Sequence, residues 1–396
     1  MLVLRNIIRF KLYRALYYNK SAAFLGFVLF FLISAFNVQA QEGIQQRFFT
    51  SQNELKISWV NSITKSPNNN ITIVHSPNFY FAKYDGIHFD YTINPSGILG
   101  KTYEDLSGNL WSIDKGNLNH VNFYSNEKWQ NLKINVGTPF IPSPNIGNKL
   151  LFIRDGTLME YDEAKQETRV VKRSEESQIG EFIDMTTFQD GSVWITGENG
   201  VAKYLVSSDD SKEQWIDFQV PKELRLYHFN KPFEGVNGEL TMMSKTSNLK
   251  QNVLASFDGK RWQKLYASQT EEVYCGWRGH DNSLWIIKGS LPVLNGPLRD
   301  WNLFHVQQGQ ASLVGKNRIL NNVLNDVVVE PNGAFWLATG SGLAYFTPSL
   351  WRKQTAKVDL NRRIKKIHED LSGRLWFAME NAFSLFSNNK WELNQS

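Results

Sequence analysis

Past residue 57 the chain reads as short runs of alternating apolar and polar residues, cut by turns rich in Gly, Asn and Asp. Val327 and Val329, like Leu375 and Phe377, are apolar at every second place, the period of a strand with one buried face. No stretch there keeps the apolar period of a helix. The predicted strands come in fours, and the fours repeat. Glu104-Asp105-Leu106-Ser107-Gly108-Asn109-Leu110-Trp111 returns nearly unchanged as Glu369-Asp370-Leu371-Ser372-Gly373-Arg374-Leu375-Trp376. Looser copies lie between them: Gln189-Asp190-Gly191-Ser192-Val193-Trp194, His280-Asp281-Asn282-Ser283-Leu284-Trp285 and Glu330-Pro331-Asn332-Gly333-Ala334-Phe335-Trp336. Weaker ones fall at 69–73, 147–152 and 237–242. A second aromatic follows most anchors: Trp129, Trp215, Trp301, Trp351 and Trp391.

Each unit then has a strand before the Asp/Gly turn, a strand carrying the Trp, a third ending in Tyr or Phe, and a fourth carrying the second Trp. Four-stranded antiparallel units of about 43 residues, radially repeated, describe an all-β β-propeller. One such blade cannot bury both its faces, and aromatic residues from neighbours fill the gap. The units fall near 57–94, 98–134, 138–172, 179–219, 225–266, 270–306, 320–356 and 363–394. That predicts eight blades, or seven if the third or fifth unit is an insertion. Trp111, Trp194, Trp285, Trp336 and Trp376 are the expected packing anchors, with Asp105, Gly108, Asp370 and Gly373 shaping the turns. Trp59 and Trp277 fall off this register and are candidate surface aromatics.

The first forty residues differ. Arg5, Arg9, Lys11, Arg14 and Lys20 precede an apolar run, Ala22 to Phe36, and Val38-Gln39-Ala40 offers small residues at the right places. This is the layout of a signal peptide over 1–40, cut before Gln41, with an uncleaved anchor as the alternative. Residues 41–56 read as an N-terminal connection and 57–396 as the propeller. The leader also explains the charge. Net charge is +5, and the leader holds five basic residues and no acidic ones, so the remainder is formally neutral. The argument for nucleic acid as a partner loses its support. A membrane is expected only through the leader, and the predicted location is periplasmic or extracellular, or tethered. The lone Cys275 forms no intramolecular disulfide framework and no Cys-rich zinc site.

The Asp-x-x-Gly-x-Leu-Trp turn and strand, followed by a Gly-rich loop and an aromatic-Asp-Gly turn such as Tyr84-Asp85-Gly86, resembles the two-component regulator propeller repeat. That family builds the extracytoplasmic sensor region of bacterial hybrid two-component systems, many of which respond to glycans. Trp336-Leu337-Ala338-Thr339-Gly340-Ser341-Gly342-Leu343 keeps the family's continuation, and Trp194-Ile195-Thr196-Gly197-Glu198-Asn199-Gly200-Val201 nearly so. Trp111-Ser112-Ile113-Asp114-Lys115-Gly116 departs from it. The repeat is also similar to that of virginiamycin-type lyases. With no kinase or DNA-binding part up to Ser396, the resemblance implies a free or tethered recognition module, or one whose effector sits on another chain.

Catalytic patterns are missing: there is no H-E-x-x-H, G-x-S-x-G, Walker loop or dinucleotide glycine fingerprint. Cys275, Trp277, Arg278, His280 and Asp281 suggest a Cys/His site. Asp281, however, is expected where Asp190 and Asp105 fall, in a turn, with Cys275 a buried thiol on an innermost strand. His75, His88, His120, His228, His280, His305 and His368 show no metal-ligand spacing, and neither metal nor cofactor is expected. His75 and His228 lie near connections that ring the channel of a propeller, and the same class of loop supplies Lys115, Arg154, Lys245 and Lys288. Convergent cations suit an acidic sugar or a carboxylate ligand. The sequence thus predicts an exported, non-enzymatic propeller taking a glycan, another small ligand or an envelope protein at its channel face. A propeller lyase acting on a polysaccharide or macrolactone, and an envelope scaffold, are the alternatives.

Overall fold

The computed structural model describes residues 45–51, 54–55, 59–66, 71–75, 80–93, 99–114, 120–207, 213–247, 251–268, 271–279, 283–290, 301–307, 310–314, 324–347, 364–370, 374–379, 382–387 and 390–395. The leader, Lys115, His280, Asp281, Trp351 and Gly373 lie outside them. Among the described residues there is no α-helix, and no helix long and apolar enough to cross a membrane. The described residues hold thirty-two strands in eight four-stranded antiparallel sheets. The chain is a β-propeller of the predicted kind, and seven of the eight sheets lie within one compact unit, 44–348.

Blades 1 to 6 of that unit are sequential meanders at 60–93, 99–132, 140–173, 182–219, 226–267 and 271–313. Blade 7 supplies only three strands from 324–347 and takes its outermost from the start of the chain, Gln45–Phe49, which pairs antiparallel with Gly342–Thr347. The segment expected as a connection therefore completes a blade, in the place expected for the strand around Trp351. Gly342 shows why the fit is close: a Cβ there would collide with the Phe49 carbonyl, and one at Gly200 in blade 4 with that of Phe218. The Gly after each Gly-rich loop is where the fourth strand approaches too closely for a side chain.

The seven blades form a closed circuit. First strands of blades 1 to 5 pack in succession, blade 5 packs on the first strand of blade 6, and one cluster joins blades 6 and 7 through Trp277, Trp285, Phe335 and Phe346. Blade 7 then returns to blade 1. The N–H of Ile63 donates to Asp326 Oδ2 at 3.2 Å, Asn325 Nδ2 donates to the Val60 carbonyl at 2.7 Å, and Lys65 pairs with Glu330. Phe49, fully buried, packs on Tyr84, Phe89 and Trp336 at the same seam. Trp277 is likewise fully buried in the cluster between blades, which removes it as a surface aromatic. Trp59 is 40% exposed, its indole donating to Asn61 Oδ1 at 2.8 Å.

Trp111, Trp336 and Trp376 share one device, an indole N–H donated to a carboxylate six residues earlier. In blade 2, Asp105 is fully buried; its Oδ1 accepts the N–H groups of Ser107 and Asn109 at 2.9 Å each, and its Oδ2 accepts the Trp111 indole N–H at 2.9 Å. The carboxylate thus closes the turn and fixes the ring that fills the gap between blades. Gly108 sits at φ +81, where a side chain would be strained. Glu330 does the same for Trp336 in blade 7. In blade 4, backbone bonds place Phe188 rather than Asp190 where Asp105 stands, and Trp194 Nε1 has no partner. Gly279 holds that place in blade 6, so the reading that set Asp190 and Asp281 at the Asp105 position is two residues off. The sixth blade departs too: Trp301 lies ahead of its third strand, and the fourth is Gln310–Leu313.

The remaining sheet, 364–395, belongs to the second unit. Asp370 Oδ2 accepts the Trp376 indole N–H at 2.9 Å, as in blade 2. Ile367, whose counterpart Val327 is 6% exposed, is 55% exposed here.

Candidate functional site

Every blade begins its first strand and ends its second on the same side of the circuit, which follows from antiparallel succession. The described candidates all come to that side. Arg154 ends the second strand of blade 3, Lys245 stands near the end of that strand in blade 5, Lys288 near its end in blade 6, and His228 near the start of the first strand of blade 5. His75 ends the second strand of blade 1.

Their surroundings separate them. His228 sits at φ +57, and its N–H donates to the Glu198 carbonyl of blade 4 at 2.8 Å. Burial, with Lys245 adding to it, holds its imidazole below the usual histidine pKa, against the pull of Glu198 and Glu181. His228, Lys245, Glu181 and Glu198 thus form one mixed-charge rim between blades 4 and 5. Arg154 Nη1 donates to the Asn135 carbonyl at 2.8 Å. Lys288 is not an offered cation: it is 8% exposed, paired with Glu271, and lies 4.2 Å from the Phe304 ring centre. Burial works against its charge, but the bonds to Glu271 and Tyr266 outweigh it and hold its pKa above the lysine range.

Sequence reasoning missed a deeper ring of residues. The first strands of blades 1, 4, 6 and 7 each slip register by one residue, between Val60 and Ser62, Phe182 and Asp184, Val273 and Cys275, and Leu324 and Asp326. The slip in blade 2, also of one residue, falls between Leu99 and Thr102 and contains Lys101; blade 5 has two, and the second, between Asn230 and Phe233, contains Lys231. A bulge turns the next side chain out of strict alternation and frees backbone N–H groups. Asp326 and Asp184 use them identically. Asp326 accepts from Val327 N at 3.0 Å and from Ile63 N of blade 1; Asp184 accepts from Met185 N at 2.9 Å and from Lys231 N of blade 5 at 2.9 Å. Each carboxylate staples its own innermost strand to that of the following blade.

One ion pair and two longer-range electrostatic interactions also run between blades that are not neighbours. Lys101 Nζ of blade 2 lies 3.1 Å from Asp326 Oδ2 of blade 7, and within electrostatic reach of Asp184 in blade 4. Lys231 of blade 5 is within reach of Asp326 as well as Asp184. Such pairs can meet only across the axis, so Lys101, Asp184, Lys231 and Asp326 line the lumen. Lys101 is 40% exposed, so the lumen is wet at that level. Cys275 is fully buried beside it, and burial pushes its thiol up to about 12. A thiol so held is not a nucleophile near neutral pH, which removes the Cys/His reading. Among the described residues no three His, Cys, Asp or Glu gather into a metal-holding group.

No family model matches the chain, and neither does any curated protein. Solved structures do. The chain is similar to the extracellular domain of a B. thetaiotaomicron protein described as a hybrid two-component system, at 13% identity and a TM-score of 0.50, over 88% of this chain and 47% of that one. A second such domain from B. thetaiotaomicron gives 15% identity and a TM-score of 0.46, over 89% and 49%. Virginiamycin B lyase from Staphylococcus aureus gives 9% identity and a TM-score of 0.51, over 77% of this chain and 99% of the lyase. The chain spans about half the length of the two-component-system domains it matches. At these identities the likeness is one of fold.

Proposed function

We propose that this chain is an exported, non-enzymatic recognition module that holds a glycan or another small polar ligand on the face bearing His228 and Lys245, at the mouth of the lumen. One observation carries the reading: a single strand of blade 5, Leu226–Glu234, takes His228 on the rim and Lys231 in the lumen, so rim and lumen form one polar path. Its groups are hydrogen-bond donors and acceptors beside the Tyr274 ring, a composition that suits a hydroxylated ligand. Export rests on the basic, apolar, small-residue order of the first forty residues, and the sensor role on the resemblance of the repeat.

Thermal unfolding against a panel of neutral and acidic oligosaccharides tests it. A specific ligand at 100 times its dissociation constant should add about 2.7 kcal/mol and raise the midpoint, without turnover. A flat panel from well-folded protein would favour the envelope scaffold. Turnover abolished by His228→Ala would make the chain an enzyme.

A further inference from the structure

The lumen holds a charge without a matching partner. Lys231 is mostly buried, and its Nζ has two partners among the described residues: it donates to the Tyr274 carbonyl at 3.0 Å and lies 3.0 Å from the centre of the Tyr274 ring. A carbonyl and a ring face solvate an ammonium only in part, and burying a cation without a contacting anion is costly.

The groups around it do not supply that anion. Asp184, the lumen carboxylate nearest along the circuit, spends an oxygen on each of two backbone N–H groups, and burial raises its pKa, weakening it as a counter-ion. Asp326 is engaged by Ile63, Val327 and Lys101. Glu272 and Cys275, from the first strand of blade 6, act on Lys231 without an ion-pair contact, and burial keeps the Cys275 thiol protonated. A second group stands at the same level: Lys101, with one carboxylate contact, keeps donors to spare. The lumen therefore offers two ammonium groups to something that accepts.

We infer that the lumen is a carboxylate-binding site, with Lys231 as the ion-pair partner of the ligand and Lys101 as a further donor. The inference rests on the reading that this propeller takes its ligand from the rim of His228 and Lys245, and it names the ligand class. A small free dicarboxylate and the uronic acid of a glycan present the same group.

Calorimetric titration of the full-length protein with succinate, trigalacturonate, its methyl ester and maltotriose separates the cases. Succinate or trigalacturonate should bind; which one does identifies the source of the carboxylate. Methyl esterification should weaken trigalacturonate by about tenfold or more, the usual loss when a charged hydrogen-bonding partner is removed. Lys231→Met should do the same to either acid at an unchanged melting midpoint, and Lys231→Arg should restore most of the affinity. The ester comparison needs no variant, so a poorly folded Lys231→Met leaves the test intact. Equal binding of acid and ester, or binding of maltotriose alone, would overturn the carboxylate site while leaving the recognition module standing. Failure of both acids to bind would overturn the site too, with the wider oligosaccharide panel deciding the module separately.

Discussion

Replacing Phe49 by alanine should lower the unfolding free energy by about 3 to 5 kcal/mol, the cost of emptying a packed aromatic site. Phe49 is fully buried, and its ring centre lies 5.2 Å from that of Tyr84, 5.4 Å from Phe89 and 5.7 Å from Trp336. Those rings belong to blades 1 and 7, so the side chain packs the seam where the circuit closes. The effect should exceed that of an equally buried residue inside one blade. The strand Gln45–Phe49 hangs on blade 7 by one ladder, with no strand outside it among the described residues, so a cavity at its end also loosens its register. Urea unfolding of wild type and Phe49→Ala checks this. A loss under about 1 kcal/mol, the range of an ordinary surface substitution, would mean that the strand does not close the seam.

Asp105→Ala should be similarly severe, at about 3 to 4 kcal/mol, because a buried acceptor leaves several donors stranded. The alanine strands the N–H groups of Ser107 and Asn109 and the Trp111 indole N–H, and Trp111 has no exposure through which water could replace the carboxylate. The repeat provides its own control. Asp370 makes the matching bond to the Trp376 indole, but both it and Trp376 are partly exposed, so Asp370→Ala should cost only about 1 kcal/mol. The same chemical change, made in two copies of one motif, should thus differ in effect because Asp105 is fully buried and Asp370, which also pairs with Arg374, is not. Equal losses at the two sites, read from paired unfolding curves, would mean that the buried turn does not fix the Trp.

The strands and their grouping were legible because the turn and the Trp strand recur with a local mark that tertiary context does not override. Asp105, Gly108 and Trp111 announce a blade within seven residues. The fourth strand of blade 7 carries no such mark. Gln45–Phe49 has neither the turn nor a Trp, and its place is decided by which segment reaches the open edge when the circuit closes. Trp277 is hard to place for the opposite reason: it stands out of register with the repeat, yet packs in the cluster that joins blades 6 and 7. The rim candidates were half legible. Chain direction alone brings Arg154, His228, Lys245 and Lys288 to one side, but only the structure shows Lys288 consumed by Glu271. The lumen ring was invisible in the alternation, because a one-residue bulge shifts the period just where Asp184 and Asp326 turn inward. Counting back from each turn could have found it. Lys101 and Asp326 stand four residues before Asp105 and Glu330, and Asp184 and Lys231 four before Phe188 and Gly235.

Blades 1 to 7 close on themselves at the seam of Gln45–Phe49, Ile63 and Asp326. Peptide-resolved hydrogen exchange of the native protein tests it directly. The amides of 60–65, and those of 45–49 that bond to Gly342–Thr347, should exchange only with global unfolding, as slowly as those of the interior first strand Phe182–Thr187. Exchange at the seam faster by orders of magnitude, with Phe182–Thr187 still protected, would show an open circuit and contradict the account.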